Sequence, residues 1–291
     1  MHLFLLTALT MIAFAANSVL NRLALAGGGI DAVGFGAVRL AAGAAVLLLM
    51  ARVLRGHIAL GGPRRAVGVA ALLLYIFGFS FAYRSLDAGL GALVLFGTVQ
   101  ITMIAGALIC GERPGPLRWL GAALAFAGLV WLLAPAQGGV AAPGPLAAMV
   151  AAGVGWGLYS LAGRGAGDAL MATAANFALA TPMALLLALL ARPEAVTPSA
   201  QGLALAVLSG AVTSGLGYAL WYTVLPRLQT SVAAVAQLTV PAIAMAGGMV
   251  FLGENMTARF LLASALILGG VAMSALAPRQ AGQRTMRSNG S

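Results

Sequence analysis

The sequence predicts an all-α polytopic membrane protein, in which ten transmembrane helices form two inverted five-helix repeats around a central cavity. Three observations predict this class. The 291 residues are 62% hydrophobic and only 8% charged. Apolar runs of about twenty residues, the length that spans the hydrocarbon core of a bilayer, recur along the whole chain. Similar residues also recur at one constant offset between the two halves of the chain.

The apolar runs define ten spans, joined by short loops. Their approximate limits are 3–24, 32–53, 66–84, 89–110, 117–134, 146–163, 169–191, 202–223, 229–252 and 259–277. The first run also has features of a secretory signal peptide, with small residues at Ala13 to Ala16. We interpret it as span one, because no basic residue precedes it and no soluble domain follows it.

The chain divides into a first repeat at residues 1–137 and a second at 144–278. The uncharged segment 135–145 is rich in glycine and proline, which is typical of a linker. The polar residues 279–291 are predicted to form a disordered cytoplasmic tail.

The arginines predict the orientation of the chain. All sixteen basic residues are arginines. With the N-terminus inside, eleven lie in cytoplasmic segments, four at the outer ends of spans, and Arg39 within span two. Because positive residues favour cytoplasmic loops, both termini are predicted to be cytoplasmic, in a bacterial inner (plasma) membrane. Topology also explains the net charge of +10, so no nucleic-acid partner is expected.

The two halves are related by an offset of 142 positions, which separates Gly111-Glu112 from Gly253-Glu254. The same offset relates Phe14 to Trp156, Ser18 to Ser160, Arg22 to Arg164, Phe79 to Trp221, Leu86 to Leu228 and Gly128 to Gly270. Five is an odd number of spans, so the second copy must enter the membrane inverted. Inverted repeats are typical of secondary transporters with a site near the bilayer midplane.

Span nine contains Pro241 near its middle, where proline removes a backbone donor and leaves the Gln237 carbonyl without its helical partner. We therefore predict a hinge at Pro241 and a path-lining role for Gln237. Span four has Gln100 at a similar depth but no proline. Spans four and nine are predicted to frame a transport path.

Four features of the chain resemble the EamA-type drug/metabolite transporter superfamily. They are the Leu252-Gly253-Glu254 ending of span nine, its copy at Gly111-Glu112, the central Pro241 and Trp156-Gly157 in span six. The resemblance covers residues 1 to about 278 and is nearest to bacterial amino-acid exporters of the YddG kind. It implies a secondary transporter that works by alternating access. Val99 replaces the mid-helix proline of the first half, so no role is assigned to that position.

Aromatic side chains at helical spacing are candidates for holding an apolar or aromatic solute by stacking. They are Tyr75, Phe79 and Tyr83 in span three, Trp156 and Tyr159 in span six, and Tyr218, Trp221 and Tyr222 in span eight. Tyr83 and Tyr222 lie near span ends and have membrane-interface anchoring as an alternative. The predicted binding residues are therefore Tyr75, Phe79, Trp156, Tyr159, Tyr218 and Trp221.

Polar residues inside spans add further candidates. Asn17 and Asn21 lie one turn apart in span one, where they either line the cavity or form hydrogen bonds between helices. Arg39 either snorkels to the membrane surface or faces the cavity and meets a substrate carboxylate. Glu112 and Glu254 end their spans, and solvation in loops is favoured over gating ion pairs with Arg113 or Arg259.

Catalysis, proton transfer and metal binding have few candidate residues in this sequence. Every carboxylate lies in a loop or at a span end, and His2 and His57 are peripheral. We therefore expect no buried proton relay, no catalytic site, no metal site and no cofactor. Cys110 is the single cysteine, which excludes an intramolecular disulfide. The chain has no ATP-binding motif, so primary active transport by this chain alone is excluded.

The leading hypothesis is a transporter that exports neutral amino acids, including aromatic ones, and related small metabolites by facilitated transport. The alternatives are an exporter of drug-like or nucleotide-sugar-like metabolites, a channel, and an intramembrane enzyme. The expected partners are the solute and the lipid bilayer. A monomer is compatible with the sequence, since small residues in spans five and ten favour close packing either within the chain or between subunits.

Overall fold

The computed structural model describes residues 2–62, 64–109, 115–133, 143–163, 167–191, 197–224, 227–228 and 236–276, among which there is no β-strand. The helices are α1 (His2–Ala26), α2 (Ala32–Arg55), α3 (Arg65–Ala82), α4 (Ala88–Ile109), α5 (Pro116–Leu133), α6 (Pro143–Gly163), α7 (Ala169–Leu190), α8, α9 (Thr239–Leu252) and α10 (Ala258–Leu276). Helix α8 has three consecutive parts, Ala200–Leu208, the π-helical Ser209–Leu216 and Gly217–Val224.

These ten helices correspond to the ten predicted spans. Helices α1 to α4 and α6 to α8 are long and apolar enough to cross a membrane, and the described parts of α5, α9 and α10 are apolar but shorter. Several expectations concern residues outside the described ranges. They are those for Glu112, Arg113, most of segment 135–145 and the tail at 279–291.

Local sequence accounts for several helix ends. Asp31, Asp168 and Ser199 each precede a helix and accept hydrogen bonds from its first backbone N–H groups, which otherwise lack partners. Gly56 and Gly253 end α2 and α9 with φ of 74° and 66°, a left-handed conformation that glycine adopts without strain. The predicted Gly-Glu ending of span nine therefore marks a true helix terminus.

The helix packing has the symmetry of an inverted duplication. Helix α3 of the first half packs on α6 of the second half. In the equivalent arrangement, α8 (the counterpart of α3) packs on α1. In the same way, α4 packs on α6 and its counterpart α9 packs on α1. The pairs α2/α7, α4/α9 and α5/α10 each join equivalent helices of the two halves. The C-terminal ends of α1 and α6 lie at opposite ends of the bundle, near Glu254 and Asp168 respectively. The protein is thus a multi-pass membrane protein of two inverted five-helix repeats.

Glycines allow the closest helix contacts. A Cβ at Gly155 of α6 would lie 2.7 Å from the Tyr75 backbone nitrogen of α3, and one at Gly270 of α10 would lie 2.6 Å from the Ala125 nitrogen of α5. Both distances are too short for a side chain. Gly121, Gly128 and Gly270 of spans five and ten therefore pack within the chain, which is one of the two alternatives left by the sequence.

Pro241 lies just after an interruption in the helical structure. Ala236 and Gln237 are helical, Leu238 forms a turn, and the regular helix α9 begins at Thr239, so Pro241 lies in the first turn of α9. Residues 229–235 of the predicted span lie outside the described ranges. Because the first N–H groups of a helix have no partner within it, proline is tolerated there. Pro182, by contrast, lies inside α7. A hinge at Pro241 stays a prediction about motion.

Candidate functional site

Trp156 of α6 lies at the centre of an aromatic cluster. Its ring centroid is 4.9 Å from that of Tyr75, 5.2 Å from that of Tyr218 and 5.6 Å from that of Tyr159, on which it stacks. The three tyrosine side chains are buried, whereas Trp156 is half-buried. Three helices from both halves therefore bring four predicted residues together around one indole.

Further rings extend this cluster in two directions. Phe79 lies 5.3 Å from Tyr75 along α3, and Trp221 joins through Phe14 of α1, whose ring is 5.9 Å from Trp221 and 5.8 Å from Tyr218. All six aromatic candidates therefore belong to one continuous cluster. Phe14 also belongs to it, and its signal in the sequence was the repeat offset that pairs it with Trp156.

Arg39 is fully buried beside this cluster, at 0% exposure. Its Nε donates to the Ser214 hydroxyl at 3.1 Å and its Nη2 to the Tyr75 hydroxyl at 3.1 Å. The guanidinium also lies 5.2 Å from the ring centroids of Tyr75 and Phe79, a cation–π distance. The surface-snorkelling alternative for Arg39 is therefore wrong.

One donor group of Arg39 has no partner among the described residues. Its Nη1 is buried and makes no hydrogen bond to any described residue, and the same holds for the Tyr218 hydroxyl. Within the described ranges, no carboxylate forms an ion pair with Arg39. A buried cation without a counter-charge is costly, so this site favours an anionic group on a ligand.

Asn17 and Asn21 belong to a buried polar network next to Arg39. The Asn17 Oδ1 accepts from the hydroxyls of Ser209 at 2.6 Å and Thr213 at 3.0 Å, and the Asn17 Nδ2 donates to the Tyr75 hydroxyl at 3.4 Å. The Asn21 Nδ2 donates to the Asn17 carbonyl at 2.8 Å. The interhelical hydrogen bonds that the sequence posed as one alternative are therefore present, and the cavity-lining alternative stays a prediction.

The π-helical part of α8 supplies Ser209, Thr213 and Ser214, which the sequence interpretation missed. Gly210 lets this segment approach α2 closely, because a Cβ there would clash with the Arg39 carbonyl. Segments of π-helix are frequent at functional sites. The run of small and polar residues from 209 to 217, SGAVTSGLG, was the available signal.

Gln100 and Gln237 make no hydrogen bond to this cluster within the described part of the chain. The Gln100 Nε2 donates to the Ser274 hydroxyl of α10 at 3.5 Å, between α4 and α10. Gln237 is half-buried just before α9, and its side chain makes no hydrogen bond with any described residue of the cluster. The contact of Gln100 is therefore with α10, and the path-lining role of Gln237 stays a prediction.

One end of the bundle is held together by Glu254. Both carboxylate oxygens accept from the Ala88 N–H, at 2.7 and 2.9 Å, and Oε1 lies 3.8 Å from Nε of Arg22. The Glu254 side chain is only 5% exposed, so its predicted solvation in a loop is wrong, and its partner is Arg22 rather than Arg259. Burial raises the pKa of the Glu254 carboxyl above its ordinary value, although the Ala88 N–H and Arg22 act in the opposite direction.

The opposite end contains a cavity of about 130 Å³, lined in part by Arg64, Arg65, Asp168 and Asn176. Arg65 donates to the Asn176 side-chain oxygen at 2.8 Å, and Arg55 pairs with Asp168. Burial raises the pKa of Asp168, but hydrogen bonds from Arg55 and the Met171 N–H outweigh it and hold the pKa below its ordinary value. The two ends therefore differ, one being closed by a buried carboxylate and the other carrying a polar cavity.

Comparisons with known proteins agree with this architecture. The model of the EamA-like transporter family matches residues 2–134 and 144–276. An uncharacterized protein of Pseudomonas aeruginosa is 47% identical over 279 residues, covering 94% of each chain. A protein of known crystal structure is similar with a TM-score of 0.64 at 25% identity, over 92% of this chain and 98% of that chain. Since the family model accounts for both halves, the chain belongs to the EamA-like transporter family and is a membrane transporter of small metabolites.

Proposed function

We propose that this protein exports neutral amino acids, including aromatic ones, and related small carboxylates across the bacterial inner membrane by alternating access. Transport is facilitated rather than driven by ATP. The observation that carries this proposal is the buried Arg39, whose Nη1 has no partner among the described residues.

The chemistry of Arg39 favours a carboxylate ligand. A guanidinium is planar and presents its donors in a fixed fork that matches a carboxylate. Ser214 and Tyr75 accept hydrogen bonds from two nitrogens of the guanidinium, Nε and Nη2. These bonds fix the orientation of the group and leave Nη1 available to a ligand. A bound carboxylate would supply the counter-charge that the buried Arg39 lacks among the described residues.

The surrounding rings support an aromatic or apolar side chain on the same ligand. Trp156 is the half-buried member of a cluster whose other predicted residues are buried, so it is the ring a solute reaches first. The ring centroids of Tyr75 and Tyr218 lie 4.9 and 5.2 Å from that of Trp156. Offset or edge-to-face contacts between aromatic rings favour such ligands beyond simple apolar burial.

The arginine distribution supports the direction of transport. If both termini are cytoplasmic, the Asp168 end with its cavity faces the cytoplasm and the Glu254 end faces outward. An export substrate would then enter from the side that carries the cavity. Inverted repeats with a midplane site are a common basis for such alternating access.

A counterflow assay in proteoliposomes tests the proposal. Vesicles loaded with phenylalanine are expected to accumulate labelled phenylalanine from outside. Vesicles loaded instead with phenylalaninamide or phenethylamine are expected to accumulate far less, because neither compound carries a carboxylate. The panel includes alanine and a nucleotide sugar. Counterflow with the nucleotide sugar but with no amino acid would overturn the substrate assignment, and equal activity with the amine would overturn the role of Arg39.

A further inference from the structure

We propose that Glu254 is a gating residue: its carboxylate latches the end of α9 to the start of α4 and to α1, and this latch must open during each transport cycle. The inference rests on the alternating-access cycle proposed above, but it does not depend on the identity of the substrate.

The latch joins three helices at one point. Glu254 follows the end of α9 and accepts the Ala88 N–H at the start of α4 through both oxygens, at 2.7 and 2.9 Å. Arg22 near the end of α1 lies 3.8 Å from the same carboxylate and 3.7 Å from Asp87. The N-terminus of a helix favours a negative charge, so the position of Glu254 is stabilising while the contact lasts.

The origin of this cap distinguishes α4 from other helices. Helices α2, α7 and α8 are each capped by the residue directly before them, Asp31, Asp168 and Ser199. The first N–H of α4 is instead satisfied by a side chain 166 positions later in the chain. A cap on the same segment moves with its helix, whereas this one breaks when α9 moves away from α4.

The chain is shaped to bring Glu254 into this position. Gly253 adopts a left-handed conformation with φ of 66°, which turns the chain back over the last turn of α9. The carboxylate then lies over Gly248, where a Cβ would clash with it and would also lie 3.4 Å from the Ala88 Cβ. The absence of a side chain at Gly248 leaves room for the latch.

Thiol labelling of detergent-solubilised protein tests the latch without any substrate. On a Cys110→Ser background, the probe is Ala92→Cys, one helical turn inside Ala88 and fully buried. Ala174→Cys in α7 is the matched probe near the Asp168 end, also fully buried. Glu254→Ala is expected to raise the labelling rate at the Ala92 probe about three- to tenfold, the factor that corresponds to losing one or two hydrogen bonds.

Two further variants separate latch opening from damage to the fold. Glu254→Gln keeps an acceptor for the Ala88 N–H and is expected to label like the parent. Gly248→Ala displaces the intact carboxylate and is expected to raise labelling as Glu254→Ala does. Its control is Gly269→Ala, because a Cβ at Gly269 would meet nothing within 4 Å. Unchanged labelling at the Ala92 probe in both Glu254→Ala and Gly248→Ala, or an equal increase at both probes, would overturn the proposal.

The outcome is independent of the substrate assignment. Failure of amino-acid counterflow would leave the labelling result intact, because labelling is measured without ligand. If labelling rises only in the expected variants and no amino-acid counterflow is found, the gating role of Glu254 stands and the amino-acid substrate assignment fails.

Discussion

Arg22 and Arg39 are the same side chain in two environments, and the difference between them separates gating from binding. Arg22 lies near the end of α1 and has two carboxylates within 4 Å, on Asp87 and Glu254. Arg39 is fully buried and has none among the described residues, with one nitrogen left without a partner. An arginine paired within the chain holds helices together, whereas an unpaired one favours a ligand that supplies the charge.

The largest expected effect comes from removing the unpaired cation. Arg39→Gln is expected to raise the KM for amino-acid counterflow about 10- to 100-fold, the loss of one charge-assisted hydrogen bond. Arg39→Lys should restore part of the activity, because it keeps the charge but not the fork. The control Arg84→Gln changes an exposed arginine at the end of α3. Similar KM values for the Arg39 and Arg84 variants would contradict the contrast between Arg39 and Arg22.

An intermediate effect is expected from Trp156, the half-buried ring at the centre of the aromatic cluster. Trp156→Ala is expected to raise the KM for phenylalanine about 3- to 10-fold through lost ring contacts, with a smaller change for alanine. Trp156→Phe should retain most of the affinity. Gln100→Ala serves as the control, since Gln100 contacts Ser274 rather than the cluster. An equal loss for phenylalanine and alanine would show that Trp156 supports the fold rather than the ligand.

The smallest expected effect concerns pH at the Glu254 end. The groups that face Glu254 are Arg22 from α1, Asp87 before α4 and Tyr83 directly after α3. Burial raises the Glu254 pKa above its ordinary value of 4.5, so the closed arrangement binds the proton more tightly than an open, solvated one. The stability gained from protonation is fully present below pH 4.5 and is lost as the pH rises through the raised pKa.

Labelling of the Ala92→Cys probe across pH measures this effect. The rate at each pH is divided by the rate for Glu254→Gln, which cancels the intrinsic titration of the thiol. The ratio is expected to increase with pH. A constant ratio, or one that falls with pH, would contradict the prediction.

Helical periodicity explains what could be predicted at the site. Residues three or four apart share a helix face, so Tyr75 and Phe79, or Trp156 and Tyr159, were identified as stripes before any contact was known. The same periodicity does not fix how a helix is rotated against its neighbours. Gln100 was therefore grouped with the site although its contact is with Ser274 on α10.

The π-helical segment of α8 shows a second limit. Its extra residue per turn changes which side chains share a face, so Ser209, Thr213 and Ser214 do not follow the ordinary helical pattern. Their partners are Asn17 and Arg39, between 175 and 196 positions away along the chain. No local pattern encodes a contact at that separation.

The sequence by itself determined the ten apolar spans, the duplication and the family, because span length and a constant offset are properties of the chain alone. Only the tertiary structure decided that Arg39 points inward and that Glu254 caps α4. Each of these depends on which partners lie nearby. Burial, counter-charge and backbone pairing are set by helices that are distant in sequence and adjacent in space.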